Sequence, residues 1–287
     1  MISSSPLKPP ARALLALVFT AGAAACRTAT PYLSPDAPLF TGSFAPERPP
    51  LAAAGTGSGP SRLRIVTFNV EYALRVPLAL AALRENAHLS GADVVALEEM
   101  DLQGTQAIAS GLGMNYAYCP ASVHPKYHRD VGNAILSPWP VSGAAKVALP
   151  HRSRILGQAR VAVRATVAVA GRPLRVYALH LGSPLGASPG QRRDQIDVVL
   201  KDALDSPDPV VIAGDFNSAG LGERLVARGY GWPTRKVGPS TRGLSFDHVF
   251  TRGLPLDGAV AGVAREVKDA SDHRPVWVDL VAGPEPP

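Results

Sequence analysis

Apolar runs of strand length recur from about residue 62 to the end of the chain. Many are rich in Val and Ile, which pack well in strands. They predict eight strands, at residues 63–68, 94–97, 134–136, 159–169, 174–181, 210–213, 248–250 and 276–281. Stretches rich in Ala, Leu, Arg and Gln, which favour helix, lie between several of them and predict helices at 76–89, 102–112, 189–204 and 221–228. The pattern indicates a mixed α/β fold.

The longest two apolar runs are neighbours, and the turn between them indicates how the sheet is built. Residues 159–169 and 174–181 are separated by Ala-Gly-Arg-Pro, which is typical of a hairpin turn. The sheet is therefore expected to be mixed. Strands this apolar need cover on both faces, so we expect two packed sheets with helices outside them.

The first 60 residues have a different pattern. Lys8 and Arg12 precede an apolar run at 13–25, which is too short to span a bilayer and ends in three alanines before Cys26. This layout predicts a signal peptide at residues 1–25. Residues 26–60 are mostly Pro, Ala, Gly, Ser and Thr without periodicity, which predicts a tether before a catalytic domain at 61–283.

The position of Cys26 resembles the bacterial lipoprotein box, although Ala23 stands where that box usually has Leu. The resemblance implies a lipid-modified Cys26 and an exported, periplasmic or outer-membrane lipoprotein tethered to the membrane. Plain secretion is the alternative.

Composition narrows the function only slightly. A chain of 287 residues that is 46% hydrophobic is not disordered throughout, and two cysteines exclude a disulfide framework. The net charge of +6 falls to +4 without Lys8 and Arg12, so charge by itself does not indicate nucleic acid. We expect a single folded domain acting as a monomer.

Polar residues of the metal-binding kind stand at the ends of the predicted strands. Asn69, the pair Glu98 and Glu99, His180, and Asp215 with Asn217 all follow or end apolar runs. A strand end is held rigidly, so several of them can direct ligand atoms at one point. Each residue alone is more typical of turn chemistry, but their recurrence predicts a shared site.

Two further segments carry carboxylates beside histidines. Asp272 and His273 precede the last predicted strand, and Asp247 is a second carboxylate that could bond a histidine ring and favour its protonated form. With Asp215 and Asn217, a carboxylate could take a proton from water while an amide orients it.

These segments, taken in order, resemble the endonuclease/exonuclease/phosphatase superfamily, including deoxyribonuclease I and the neutral sphingomyelinases. The resemblance covers about 62–280 and rests on the sequences TFNV, ALEEM, GNAILS, LHL, GDFN, SFDH and SDHRP. It implies a four-layer α-β-β-α sandwich of two packed mixed sheets and metal-dependent cleavage of phosphoester bonds.

The resemblance also implies roles. Asn69 and Glu99 correspond to the metal-binding pair, and Asp272 to a further carboxylate of the metal site. The family usually has Gln-Glu at positions 98 and 99; Glu98 should point away along the strand and be structural. The catalytic set implied is His180, Asp215, Asn217, Asp247 and His273, with Asp247 orienting His273.

Oxygen ligands of this kind suit one or two Mg²⁺ or Mn²⁺ ions. Substrate contacts are predicted at Asn133, whose role is more supportive than catalytic, and in a basic loop containing His128 and Arg129. A solvated surface loop is the alternative for the last two residues.

The function expected is an exported phosphodiesterase that uses activated water, with endonuclease-like activity narrowly ahead. A phospholipid, sphingomyelin or phosphoinositide headgroup is the alternative substrate, and a phosphomonoesterase comes third. The alternative to an enzyme is a catalytically silent binding protein, and the presence of the full set of polar site residues argues against it.

Overall fold

The computed structural model describes residues 30–32, 34, 38–46, 62–267 and 269–281. The predicted signal peptide, Cys26 and much of the predicted tether lie outside these residues. The strands are β1 (Thr30–Pro31), β2 (Phe40–Ser43), β3 (Arg62–Asn69), β4 (Val94–Met100), β5 (Asn115–Val123), β6 (Asp130–Ser137), β7 (Val141–Leu149), β8 (Arg160–Val169), β9 (Arg172–His180), β10 (Val210–Asp215), β11 (Asp247–Arg252), β12 (Val260–Val263) and β13 (Val276–Val281). The helices are α1 (Val76–Glu85), α2 (Leu102–Leu112), α3 (Pro189–Asp202) and α4 (Gly222–Val226).

The strands form two mixed sheets. The first has the order β1-β5-β6-β4-β3-β13-β12, with β2 also on β5, and the second has the order β11-β10-β9-β8-β7. Only β3 with β4 and β9 with β10 are parallel among the pairs of the described strands. The predicted hairpin joins β8 to β9 through Ala170 and Gly171, both with positive φ.

Three apolar clusters separate four layers. One lies between α1, α2 and the outer face of the first sheet, a second between the two sheets, and a third between the second sheet and α3 with α4. The expected α-β-β-α sandwich is confirmed. None of the described helices has the length and apolar character needed to cross a membrane.

Local sequence explains where the longer helices begin. Asp101 caps α2 by accepting a bond from the Gly104 amide, and Gly113 ends that helix in the left-handed conformation. Ser188 and Gln191 form a capping box at the start of α3. Helix α1 ends at Glu85, before the predicted residue 89, because Asn86 is extended.

The structure contains strands that the apolar pattern did not predict. β7 and β12 are only partly buried, and β5 has a bulge near Pro120, so none presents a clean apolar run. β1 and β2 lie within the segment predicted as a tether and pair with β5. These two pieces therefore belong to the folded sheet, because β5 offers them a free edge that no local pattern reveals.

Candidate active site

Adjacent strands of the second sheet carry three of the predicted residues in one row. Asp215 at the end of β10 is in register with His180 on β9 and with Asp247 on β11. Residues paired across strands share a face, so all three point toward the first sheet. There, Asn69 at the end of β3 is paired with Glu98 on β4.

Asn69 and Asp215 join the two sheets at this edge. The Asn69 Nδ2 donates to Asp215 Oδ2 at 3.2 Å, and the Asn217 backbone N–H donates to Asp215 Oδ1 at 2.8 Å. Asn217 has a positive φ of 49°, which turns the chain back toward the carboxylate it follows. Asp215 is therefore fixed between groups from both sheets.

Glu99 reaches the site because β4 is irregular there. The register shifts between Leu97 and Met100, and Glu99 has a φ of 56°. Its Oε2 accepts a bond from the Tyr72 backbone N–H at 3.1 Å, and its Oε1 lies 3.7 Å from His180 Nδ1. Burial raises the pKa of Glu99 to about 7, against the attraction of Arg160.

Glu98 does not point away from the site, as strand alternation alone had suggested. It is fully buried, on the same face as Asn69, and its Oε1 accepts a bond from Thr67 at 3.0 Å. Burial, and then repulsion from Asp247, raises its pKa well above the ordinary value. Among the described residues its Oε2 has no hydrogen-bond partner, as is also true of Asp247 Oδ1.

His180 is held in the neutral state. Arg160 Nη1 lies 3.2 Å from His180 Nδ1, and because a guanidinium only donates, Nδ1 accepts. The Nε2 atom lies 2.9 Å from Asn217 Nδ2 and 3.4 Å from Asp215 Oδ2. Burial and then the charges of Arg160 and His273 lower its pKa well below the usual range.

His273 is held in the protonated state. Its Nδ1 donates to Asp247 Oδ2 at 2.9 Å, and its Nε2 lies 3.9 Å from Asp215 Oδ2. Burial by itself would lower the pKa of His273, but the charge and hydrogen bond of Asp247 overcome it and raise the pKa to about 10. One histidine of the site is therefore a cation and the other is neutral.

The donor set fits a hard cation. Burial, followed by repulsion from Asp247, raises the pKa of Asp215 to about 7, so a nearby divalent cation would relieve this crowding of carboxylates. Asp215, Asp247 and His273 offer ligand atoms within 4.8 Å of one another. A protonated imidazole cannot bind a metal, so the oxygens of Asn69 and Glu99 are the better ligands.

The loop after β3 is strained and fixed to the site. Glu71, Tyr72 and Ala73 all have φ between 45° and 55°, a conformation that costs L-residues roughly 1–2 kcal/mol each. The Glu71 N–H donates to Asn69 Oδ1 at 3.1 Å, and Arg129 donates to the carbonyls of Tyr72 and Ala73. Such strain at a site indicates a function for the loop.

Residues predicted to contact substrate or metal are placed less centrally. Asn133 is buried and donates to the Val161 carbonyl at 2.7 Å, which links the two sheets. Arg129, which donates to the carbonyls of Tyr72 and Ala73, also lies 3.5 Å from Asp101. His128 is exposed. Asp272 lies 3.3 Å from Arg242 at the mouth of the site. The structure thus gives Asn133 a structural contact.

Sequence reasoning missed Arg160 and Tyr72 and misplaced Glu98. The available signals were weak: Arg160 is a charged residue at the start of an apolar run, and Tyr72 follows the Asn69 motif by three residues. Only the packing of β8 beside β9 brings Arg160 to His180.

Two packed mixed sheets with this cluster at one edge define a phosphoesterase fold. The chain belongs to the Endonuclease/Exonuclease/phosphatase family, whose sequence profile matches residues 66–273. Two UPF0294 proteins of Vibrio cholerae are 37% identical over 97 residues, which is 30% of this chain. The aligned part spans 32% of the length of these relatives.

Solved structures share the fold. An endonuclease/exonuclease/phosphatase from Beutenbergia cavernae has a TM-score of 0.63 at 23% identity, over 78% of this chain and 72% of that one. The human Nocturnin catalytic domain with bound sulfate has a TM-score of 0.57 at 17% identity, over 76% and 94% of the two chains. A family member from Leptotrichia buccalis has a TM-score of 0.58 at 16% identity, over 76% and 99%.

Proposed function

We propose that this protein is an exported phosphodiesterase that uses a divalent metal ion and an activated water molecule. The observation that carries the proposal is the convergence, at one edge of the two sheets, of an oxygen-ligand pair with a carboxylate and two histidines in opposite charge states. Water attack on a phosphodiester requires a base, a positioned phosphate and stabilisation of the charge that develops on it.

Asp215 is the group suited to accept the proton of the attacking water. It is buried, both of its oxygens are fixed by hydrogen bonds, and its pKa of about 7 allows it to act near neutrality. Asn217 orients the carboxylate through its backbone N–H, and its side-chain Nδ2 donates to the Leu181 carbonyl next to His180.

His273 supplies positive charge beside Asp215, and Asp247 keeps it protonated. The protonated ring donates to the phosphoryl oxygens as their charge grows. Asn69 and Glu99 would hold Mg²⁺ or Mn²⁺; when bound, the ion stabilises phosphoryl charge and lowers the pKa of a bound water molecule.

Nucleic acid and a phospholipid headgroup are the two candidate substrates. The basic loop is one reason to expect a nuclease. Arg129 of that loop, however, pairs with Asp101 and donates to two backbone carbonyls, so it is engaged within the protein and supports nucleic-acid binding less. The lipoprotein-like Cys26 favours a lipid headgroup.

The reaction is tested with the full chain, Mg²⁺, Mn²⁺ or EDTA, and plasmid DNA, RNA, sphingomyelin, phosphoinositides and bis(p-nitrophenyl) phosphate. We expect metal-dependent turnover that falls by about 10³-fold or more in Asp215→Ala. Ser218→Ala, at a half-buried position three residues along the chain, serves as control. Turnover that survives both EDTA and the Asp215 substitution would reject the mechanism.

The anchor is tested separately. In bacterial cells, Cys26→Ser should move the protein from the membrane fraction to the soluble exported fraction, because a lipid chain and its membrane binding are lost. Thr28→Ser is the matched control. Unchanged partitioning between the fractions would contradict lipidation and leave plain secretion.

A further inference from the structure

The N-terminal strand enters the fold at the catalytic end. β1 runs antiparallel to β5, with Thr30 opposite Val123, the last residue of β5. β1 therefore begins beside the loop at 124–129 that connects β5 to β6. The Tyr32 hydroxyl, which donates to Asp130 at 2.8 Å, fixes this approach.

We call the loops at 124–129, 150–159 and 181–188 the rim of the site. The 124–129 loop contacts the site directly. The ring of His124 lies 4.6 Å from that of Tyr72, whose backbone N–H bonds Glu99. In the sequence, Cys26 stands four residues before Thr30, so a lipid on Cys26 would be joined by a short segment to a strand that begins beside this loop.

The rim carries positive charge. Lys126 and His128 in the 124–129 loop are exposed, and so are Arg152 and Arg154 in the loop before β8. Arg160, at the start of β8, contacts His180, so this second loop belongs to the same end of the molecule. Basic residues near an anionic membrane surface each contribute roughly 1 kcal/mol to binding.

The rim also exposes apolar side chains. Leu185, in the loop directly after β9, is 83% exposed, and Ile155 is 54% exposed. The two loops meet where the Arg154 N–H donates to the Gly186 carbonyl at 2.9 Å. Isolated exposed apolar residues are ordinary, and Leu204 at the opposite end is another, but Leu185 and Ile155 lie in loops that also carry exposed basic side chains.

We propose that the catalytic rim docks on an anionic lipid surface, with Leu185 and Ile155 inserted and Lys126 on the headgroups, and that the substrate is a phosphodiester in a lipid headgroup. This inference rests on the proposed phosphodiesterase function.

The test uses the full chain carrying Cys26→Ser, so that binding reports on the rim alone. Sedimentation with vesicles of phosphatidylglycerol and phosphatidylcholine measures affinity, and turnover is followed on the vesicles and on soluble bis(p-nitrophenyl) phosphate. We expect the double variant Ile155→Ser with Leu185→Ser to weaken binding to vesicles about tenfold or more, and Lys126→Ala about fivefold. Hydrolysis of the soluble substrate should not change.

Leu204→Ser is the control, because it removes a leucine that is 66% exposed at the end far from the site. Equal vesicle binding by the rim variants and by this control would overturn the proposal. So would a loss of oligonucleotide cleavage in Lys126→Ala with vesicle turnover unaffected, which would assign the rim to nucleic acid. If the soluble substrate is not hydrolysed with any metal, the proposed function fails, and the binding measurement still decides the docking surface.

Discussion

Two histidines of the same site have opposite charge states because their neighbours differ. His273 donates to the buried carboxylate of Asp247, whereas His180 faces the guanidinium of Arg160. Both rings are buried, and burial disfavours the charged form of each. The partner therefore decides the charge, and the sequence pattern could suggest the partner only for His273.

The charge on His273 predicts the alkaline limit of activity. A pKa raised to about 10 means that the ring is protonated at neutral pH and loses its proton as the pH rises through that value. Asp247→Asn removes the attraction and leaves the cost of burial, so the alkaline limb of kcat/KM should move down by about two pH units or more. The values of kcat/KM for bis(p-nitrophenyl) phosphate from pH 6 to 11 measure this shift.

The matched control is Asp208→Asn, which removes a carboxylate remote from the site. If the alkaline limb stays in place in Asp247→Asn, the protonated state of His273 is not what limits activity at high pH.

At the scale of elements, the site depends on close approach between β9 and β10. Gly214 has a φ of 147°, and a Cβ added there would lie 1.9 Å from the Leu179 carbonyl oxygen. Glycine is required because both the backbone conformation and the contact exclude a side chain. This places Asp215 level with His180.

Gly214→Ala should therefore lower the free energy of unfolding by about 3 kcal/mol or more and reduce activity at the same time. Gly190→Ala in α3 is the control, since its nearest neighbour would be 3.6 Å away. It should change stability by less than ~1 kcal/mol. Urea denaturation followed by circular dichroism compares them; equal midpoints would refute the argument.

The elements best predicted from sequence are the fully buried strands. β3, β4 and β10 are continuous apolar runs because both faces are covered. β7 and β12 escaped prediction because they are partly exposed, and β1 because it is two residues long. Strand alternation also misplaced Glu98, because the irregularity at Glu99 lets two neighbouring carboxylates reach the site instead of pointing to opposite faces.

At the scale of the whole molecule, the site is a junction of the two sheets. Asn69 belongs to the first sheet and Asp215 to the second. The junction buries Glu98, Glu99 and Asp215 together, which opposes their ionisation and weakens the fold unless a cation balances them. Metal binding and folding stability are therefore expected to be linked.

The raised pKa values of two buried carboxylates set the direction of this linkage. Glu99 and Asp215 have pKa values raised to about 7 in the folded protein, so the fold favours their protonated forms. The contribution of these two groups to the free energy of unfolding is greatest below the unfolded pKa near 4 and is lost as the pH rises through 7. A bound divalent cation offsets the loss only where the carboxylates are ionised. Saturating Mg²⁺ should then raise the Tm by about 5 °C or more at pH 8 and much less at pH 5.5.

Thermal unfolding with Mg²⁺ and with EDTA at both pH values measures this difference. Glu99→Gln should abolish most of it, whereas Glu85→Gln on the exposed part of α1 should preserve it. A Mg²⁺ effect of equal size at both pH values would contradict the linkage.

The sequence by itself determined the main strands, the fold class and the polar groups at the strand ends, because apolar runs and short motifs are local properties of the chain. Tertiary structure decided that Arg160 meets His180, that Glu98 lies beneath the site and that β1 enters beside the 124–129 loop. These contacts join residues far apart in the chain. Which of them form depends on how the strands pair and how the two sheets pack, and no local pattern encodes that choice.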